Sequence, residues 1–425
     1  MKKQYYPQLD ETVFWDRLPN GLTVAVVPKQ GFAKKLAYFV TDFGSIHTRF
    51  KLDGEAFVVP DGVAHFLEHK MFDLPRGEIS GEFAALGANP NAFTSYDMTA
   101  YYFSGAEEFQ KNLELLLEFV STPYFTEDSV AKEQGIIGQE IDMVADSPES
   151  RVFDNLMEIM YSVHPVRVPI LGTKETIGEI TPEVLYRCHR AFYRPDNMML
   201  CVIGDVDAEA VRDTALRLLP EAPQVAVEKE TWQEPMSVER PEITCKMEVA
   251  MPMFQLGFKC EPQDQGEAAV RLEMVGDLAA EALFGESSKL YLELYEKGLI
   301  DSSFGGGFES LDGMSMLTCS GDSDDPWAVR NAILQRAQQL AQEGVQEADF
   351  LRMKRSALGR RIKDLDSFNS TCFRLCAYHF SKFDYMEFPR VFQEIRESEI
   401  REFLRRVVQQ ERCCLSVILP EDQEV

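Results

Sequence analysis

Two rhythms of apolar and polar positions run along the chain, and each change of rhythm predicts an element. Asn20-Gly21, between Arg17-Leu18 and the apolar run 22–27, has the chemistry of a tight hairpin turn with a strand on either side. A further strand is predicted near residues 36–43. Pro60-Asp61-Gly62 breaks the chain and supplies an N-cap for a helix over residues 63–72. Residues 91–103, rich in aromatics and threonine and partly alternating, read as one extended strand. The period then lengthens to that of helices at 107–120 and 127–144, the first placing Phe109, Leu113, Leu116, Leu117 and Val120 on one side. Residues 182–192 follow as a helix and 198–203 as a short apolar strand.

Between residues 220 and 241 the periodicity fades, and Pro220, Pro223, Pro235 and Pro241 punctuate a stretch of Glu and Lys. This reads as a linker, residues 222–242. Beyond it the order recurs: strands over 243–259, helices at 267–283 and 290–297, strands over 304–319, and helices at 328–343 and 346–365. The best internal match sets residues 130–141 against 351–362, with Val130/Leu351, Ile136/Ala357, Ile137/Leu358, Gly138/Gly359 and Ile141/Ile362 in register. Glu133 then falls opposite Lys354, and Glu140 opposite Arg361. The prediction is two α+β domains, residues 1–221 and 243–425, that have divided their labour, with carboxylates in the first only.

Composition narrows the classes. A chain of 425 residues, 45% hydrophobic, is long enough for two or three domains with real cores. Seventy acidic against 43 basic residues give a net charge of -27, which argues against nucleic acid and suits basic peptides or a protein partner. Nine cysteines, an odd and scattered set without Cys-x-x-Cys, point to reduced thiols and a cytoplasmic protein. The opening Met1-Lys2-Lys3 has no apolar stretch behind it, and nothing approaches the ~18 continuous apolar residues of a membrane helix. Neither a secretory signal nor a membrane anchor is expected.

Two of the six histidines lie in His65-Phe66-Leu67-Glu68-His69, on a predicted helix. At about 100° per residue His65, Glu68 and His69 project from one face. Imidazoles at i and i+4 can hold one zinc ion, and a glutamate beside them is placed to take a proton from water, whose pKa a bound zinc lowers to about 7. Chance gives roughly 0.01 such patterns in a chain with so few histidines. A catalytic zinc needs a third protein ligand. Glu133 and Glu140, two helical turns apart, share a face of the helix predicted over 127–144. Their spacing alone is also that of a solvated acidic face; the flanking Ile136 and Ile137, and the basic counterparts Lys354 and Arg361, set them apart.

With these residues the chain resembles the M16 family of zinc peptidases (pitrilysin, insulinase, mitochondrial processing peptidase), and among them the zinc-bearing member of paired bacterial M16B proteins. The resemblance covers nearly the whole chain and is carried by residues 63–72, 91–99 and 133–140, by His164-Pro165 with Gly172-Thr173, and by 193–198. It implies an α+β fold of two homologous α/β-sandwich halves of the LuxS/MPP-like metallopeptidase type. It further implies Zn2+ held by His65, His69 and Glu140, with Glu68 as general base and Glu133 as a supporting carboxylate. Asn91, Ala92, Phe93 and Thr94 would be an edge strand to which a peptide substrate adds as a further strand.

One departure bears on assembly. Family members that act alone carry an arginine and a tyrosine in a second-half phrase that here reads Leu294-Tyr295-Glu296-Lys297-Gly298-Leu299-Ile300-Asp301. Tyr295 stands at the arginine's place and Asp301 at the tyrosine's; an ionised aspartate only accepts hydrogen bonds and cannot serve an oxyanion. The implied function is a zinc endopeptidase subunit acting on unfolded, leader- or signal-like peptides in an enclosed chamber, completed by a homologous partner chain as a heterodimer. A homodimer active alone, and a non-catalytic peptide-binding or assembly subunit, are the alternatives.

Overall fold

The computed structural model describes residues 1–219, 221, 225–263 and 265–422. Its chain divides into two compact units: Met1–Ile141, Pro169–Glu230 and Ile362–Glu387 form the first, and Asp142–Val168, Thr231–Arg361 and Phe388–Val425 the second.

The first unit is built on a seven-stranded sheet in the order Lys2–Tyr6, Glu11–Arg17, Thr23–Pro28, Met198–Gly204, Lys35–Thr41, Thr99–Gly105, Ala88–Thr94. Only the pairing of Met198–Gly204 with Thr23–Pro28 is parallel. The hairpin at Asn20-Gly21 is present: Gly21 has φ +88°, and a Cβ there would lie 2.6 Å from that of Asp196. The stretch read as one strand over 91–103 is two, Ala88–Thr94 and Thr99–Gly105, paired antiparallel. Ser95 makes the reversal, its N–H donating to the Met98 carbonyl and its hydroxyl to Asp97. These turn-forming side chains were masked by the aromatic residues around them.

The predicted helix at 63–72 is Val63–Met71, and its N-cap falls within Pro60-Asp61-Gly62, without a side-chain cap hydrogen bond. Gly62 is the N-cap, at φ 89°, where a Cβ would meet the Leu171 carbonyl oxygen at 2.4 Å. Close approach of two backbone segments, rather than a side-chain acceptor, sets this helix start.

The second unit repeats the plan in five strands, ordered Glu242–Met247, Cys413–Pro420, Met253–Cys260, Met314–Asp322, Gly305–Leu311. Again one pairing is parallel, Glu242–Met247 with Cys413–Pro420, and again the edge strand belongs to a hairpin. The central strands Met198–Gly204 and Cys413–Pro420 are buried almost throughout, so both sheet faces need cover. In each unit part of that cover comes from the other half of the sequence. Helix Pro148–Met160 packs on Met253–Cys260 and Cys413–Pro420, where Gly257 leaves room for Met160 and Leu156. Helix Phe368–Phe380 packs on Met198–Gly204 and Lys35–Thr41. A single cut at the predicted linker therefore does not reproduce the two units, which exchange residues 142–168 and 362–387.

Of the predicted linker, residues 222–224, like Pro220 before it, lie outside the described residues. Its later part is pinned rather than loose. Glu234 accepts from the N–H groups of Ser162, Val163 and His164 at 2.7, 2.8 and 2.7 Å, and from Lys259 Nζ at 2.8 Å. All nine cysteines are unpaired, and no described helix is long and apolar enough to cross a membrane.

Candidate metal centre

The Val63–Met71 helix is buried nearly all round, with Phe66 and Leu67 in the core and His69 its one residue left partly open. That burial fixes the two histidines one turn apart, their rings 4.6 Å from centroid to centroid. Glu140 reaches them from helix Glu127–Ala145. Its Oε1 lies 3.8 Å from His65 Nε2 and its Oε2 3.7 Å from His69 Nε2. All three ligand atoms fall within 4.8 Å of one another, the single such group of metal-ligating side chains among the described residues.

These separations are too long for hydrogen bonds. They are close to the ~3.4 Å between ligand atoms around a tetrahedral zinc with ~2.0–2.1 Å bonds. Two imidazole nitrogens and one carboxylate are also a donor set that zinc takes in catalytic sites, so the residues fit the ion.

For His65 the electrostatics agree with that use. Burial, with a smaller contribution from His69, pushes the His65 imidazole down to about 3, so it is a neutral lone-pair donor at ordinary pH. Burial alone would lower His69 too, but its hydrogen bond to Glu133 and the charges of Glu68, Glu133 and Glu140 outweigh it and raise the pKa. Glu133 Oε1 sits 3.0 Å from His69 Nδ1, an acceptor that leaves Nε2 facing Glu140. His65 Nδ1 is buried without a hydrogen-bond partner. Glu68 is raised above the usual carboxylate range by burial, against a lowering from Thr94, whose hydroxyl donates to Glu68 Oε2 at 2.6 Å.

Asn91, Ala92, Phe93 and Thr94 lie on Ala88–Thr94, the last strand of the sheet, with one edge free of pairing among the described strands. Thr94 turns to Glu68, whereas Phe93 packs on the opposite side with Tyr38, Tyr102 and Phe373. The predicted set thus lies in the first unit: His65, His69 and Glu140 converge, Glu133 contacts His69 and Thr94 contacts Glu68, while Phe93 faces the other side of the strand. Tyr295 and Asp301 belong to the second unit, where Tyr295 is exposed and stacked on Tyr291, and Asp301 accepts from the Ser303 N–H. Sequence reasoning missed the tie from Thr94 to Glu68, which crosses from strand to helix. It also missed Lys70, a buried cation directly after the motif.

Two units of one topology, with a group of side chains that could hold a metal in only one of them among the described residues, are the layout of an M16 metallopeptidase. Residues 59–174 match the family described as insulinase (peptidase family M16), and residues 179–357 match the M16 peptidase inactive domain. The chain belongs to this family. It is 37% identical to the uncharacterized zinc protease YmfH of Bacillus subtilis over 425 residues, covering 98% of each chain. It is 30% identical over 199 residues, 46% of this chain and 42% of the other, to the mitochondrial-processing peptidase subunit beta of Caenorhabditis elegans. A crystal structure described as an M16-like peptidase, from Alicyclobacillus acidocaldarius, superposes with a TM-score of 0.93 at 31% identity, covering 97% of this chain and 99% of the other.

Proposed function

We propose that the chain is the zinc-bearing subunit of an endopeptidase that cleaves unfolded, leader- or signal-like peptides. The observation that carries this reading is the convergence of His65 and His69, beside Glu68 on one buried helix, with Glu140 from a second helix. A zinc ion bound there supplies a Lewis acid for the scissile carbonyl and makes water acidic enough to lose a proton near neutral pH. Glu68 takes that proton, and Thr94 holds its Oε2 so that Oε1 remains for the work. Glu133 fixes the His69 ring through Nδ1.

The peptide adds to the free edge of Ala88–Thr94 through main-chain hydrogen bonds, which select an extended chain and not a sequence. Segments whose backbone is already paired within a fold cannot offer such a strand. The net charge of -27 favours basic peptides. The unpaired cysteines are in keeping with a cytoplasmic place.

An exposed Tyr295 and an Asp301 that accepts from Ser303 give the second unit no evident donor for an oxyanion. A homologous partner chain bearing an arginine and a tyrosine at these positions supplies it, and the active form is a heterodimer. The test is peptide cleavage by zinc-loaded protein with and without that partner. Glu68→Gln abolishes turnover while zinc stays bound; turnover undiminished by Glu68→Gln refutes the reading. The same Tyr295 and Asp301 favour a second reading, a peptide-binding or assembly subunit, which predicts full turnover by the complex carrying His65→Ala. Cleavage by the pure chain alone would instead make it a homodimer or monomer enzyme.

A further inference from the structure

Beside the ligand trio stands a cation that the chemistry above does not use. Lys70 follows His69 directly, and only 1% of its side chain is exposed. An ammonium withdrawn from water is costly unless paired, and Lys70 has two partners. Its Nζ contacts Asp73 Oδ2 and lies 3.9 Å from Glu133 Oε2. The other oxygen of that carboxylate, Oε1, is the one 3.0 Å from His69 Nδ1. Glu133 is therefore suspended between an ammonium and an imidazole, one oxygen to each.

That suspension matters because Glu133 and Glu140 share a helix face, and with Glu68 they crowd three carboxylates around one position. An unrestrained Glu133 has two ways to spoil the centre. It can turn an oxygen to the metal and fill the position a catalytic site keeps open. It can also leave His69 Nδ1 without its acceptor, so that the ring no longer presents Nε2. We infer that Lys70 is a positioning residue of the metal centre: its buried ammonium holds Glu133 Oε2, keeps Oε1 on His69 Nδ1, and so aims His69 Nε2 at the metal position. This rests on the zinc reading above.

The test is zinc affinity of the full-length chain, measured by competition with a chromogenic chelator, for the parent, Lys70→Met, Glu133→Gln and the double variant. Methionine keeps the length of the lysine stem, and Asp73, with 38% of its side chain exposed, is left to solvent. Lys70→Met is expected to weaken zinc binding about tenfold, as for other partners that orient a ligand. Glu133→Gln is expected to do the same, and the double variant to bind no more weakly than Glu133→Gln. Affinity unchanged in Lys70→Met, or losses that multiply in the double variant, overturns the inference. Should Lys70→Met fold poorly, the comparison of Glu133→Gln with the double variant still decides it, because there the pair is removed together. A parent chain that binds no zinc overturns the zinc reading and this inference with it; a parent that binds zinc while Lys70→Met binds equally well overturns the role of Lys70 alone.

Discussion

Thr94→Val removes one hydroxyl and keeps a β-branched side chain suited to its strand. In the parent that hydroxyl donates at 2.6 Å to Glu68 Oε2, on a carboxylate that is only 9% exposed. A hydrogen bond to a charged group contributes about 1.5–3 kcal/mol, and about 1.4 kcal/mol is a decade of rate. If the bond serves to hold the base, kcat falls about 10- to 100-fold with KM unchanged, while Thr94→Ser keeps the hydroxyl and nearly all the rate. The pH dependence has a definite sign. Burial raises Glu68 and the Thr94 bond lowers it, so losing that bond raises it further. The base must be ionised to accept a proton, so the acid limb of the kcat/KM profile moves to higher pH. The assay is cleavage of a fluorogenic, unstructured peptide by the zinc-loaded complex across pH. A rise in KM at unchanged kcat, with the acid limb unmoved, refutes the argument and leaves Thr94 as a substrate contact only.

Two further predictions concern the second unit. Glu234→Gln leaves the Lys259 ammonium, 1% exposed, with neutral oxygen acceptors and no counter-charge, and should cost about 3 kcal/mol in urea unfolding with zinc content unaltered. Burial alone would raise Glu234, but Lys259 and the three backbone N–H groups outweigh it and hold the carboxyl below its ordinary range. This stabilisation is accordingly present above the ordinary carboxylate range and is lost as pH falls through the depressed value, an acid sensitivity absent from Glu234→Gln. Arg361→Met removes the guanidinium shared by Glu273 and Asp277, 23% and 35% exposed, and should cost about 2–3 kcal/mol, less than a fully buried pair, again with zinc content unchanged. An unfolding midpoint equal to the parent's in either variant contradicts the corresponding assignment.

Much of this was legible in the chain because the elements that form the site are local. Pro182–Phe192 coincides with its prediction, and Glu127–Ala145 lies within a residue of it, since apolar period and end signals agree there. His65, Glu68 and His69 could be placed on one face from helix geometry alone. What stayed hidden is non-local. The hairpin within 91–103 depended on Ser95 and Asp97 making a turn inside an aromatic run. The exchange of helices Pro148–Met160 and Phe368–Phe380 follows from central strands that are apolar on both sides, and no periodicity says which helix will cover which sheet. The contacts of Thr94 and Lys70 join residues 26 and 63 positions apart in sequence. Glu234 looked like linker because its partners, the N–H groups of residues 162–164, have no side-chain signature.

The two units answer one layout with opposite charge. In the first, two imidazoles one turn apart on Val63–Met71 and a carboxylate from Glu127–Ala145 form a group that could hold a metal cation. In the second, Glu273 and Asp277 stand one turn apart on Glu267–Phe284, and Arg361, opposite Glu140 in the internal match, arrives from Glu347–Lys363. Its guanidinium donates to both carboxylates, at 2.6 and 2.7 Å. There the cation is part of the chain. An arginine in this setting does not lose its charge at any ordinary pH, whereas metal binding in the first unit requires deprotonated ligands and responds to pH and chelators. The same two-helix frame thus carries a permanent brace in one unit and, on the zinc reading, a loadable one in the other.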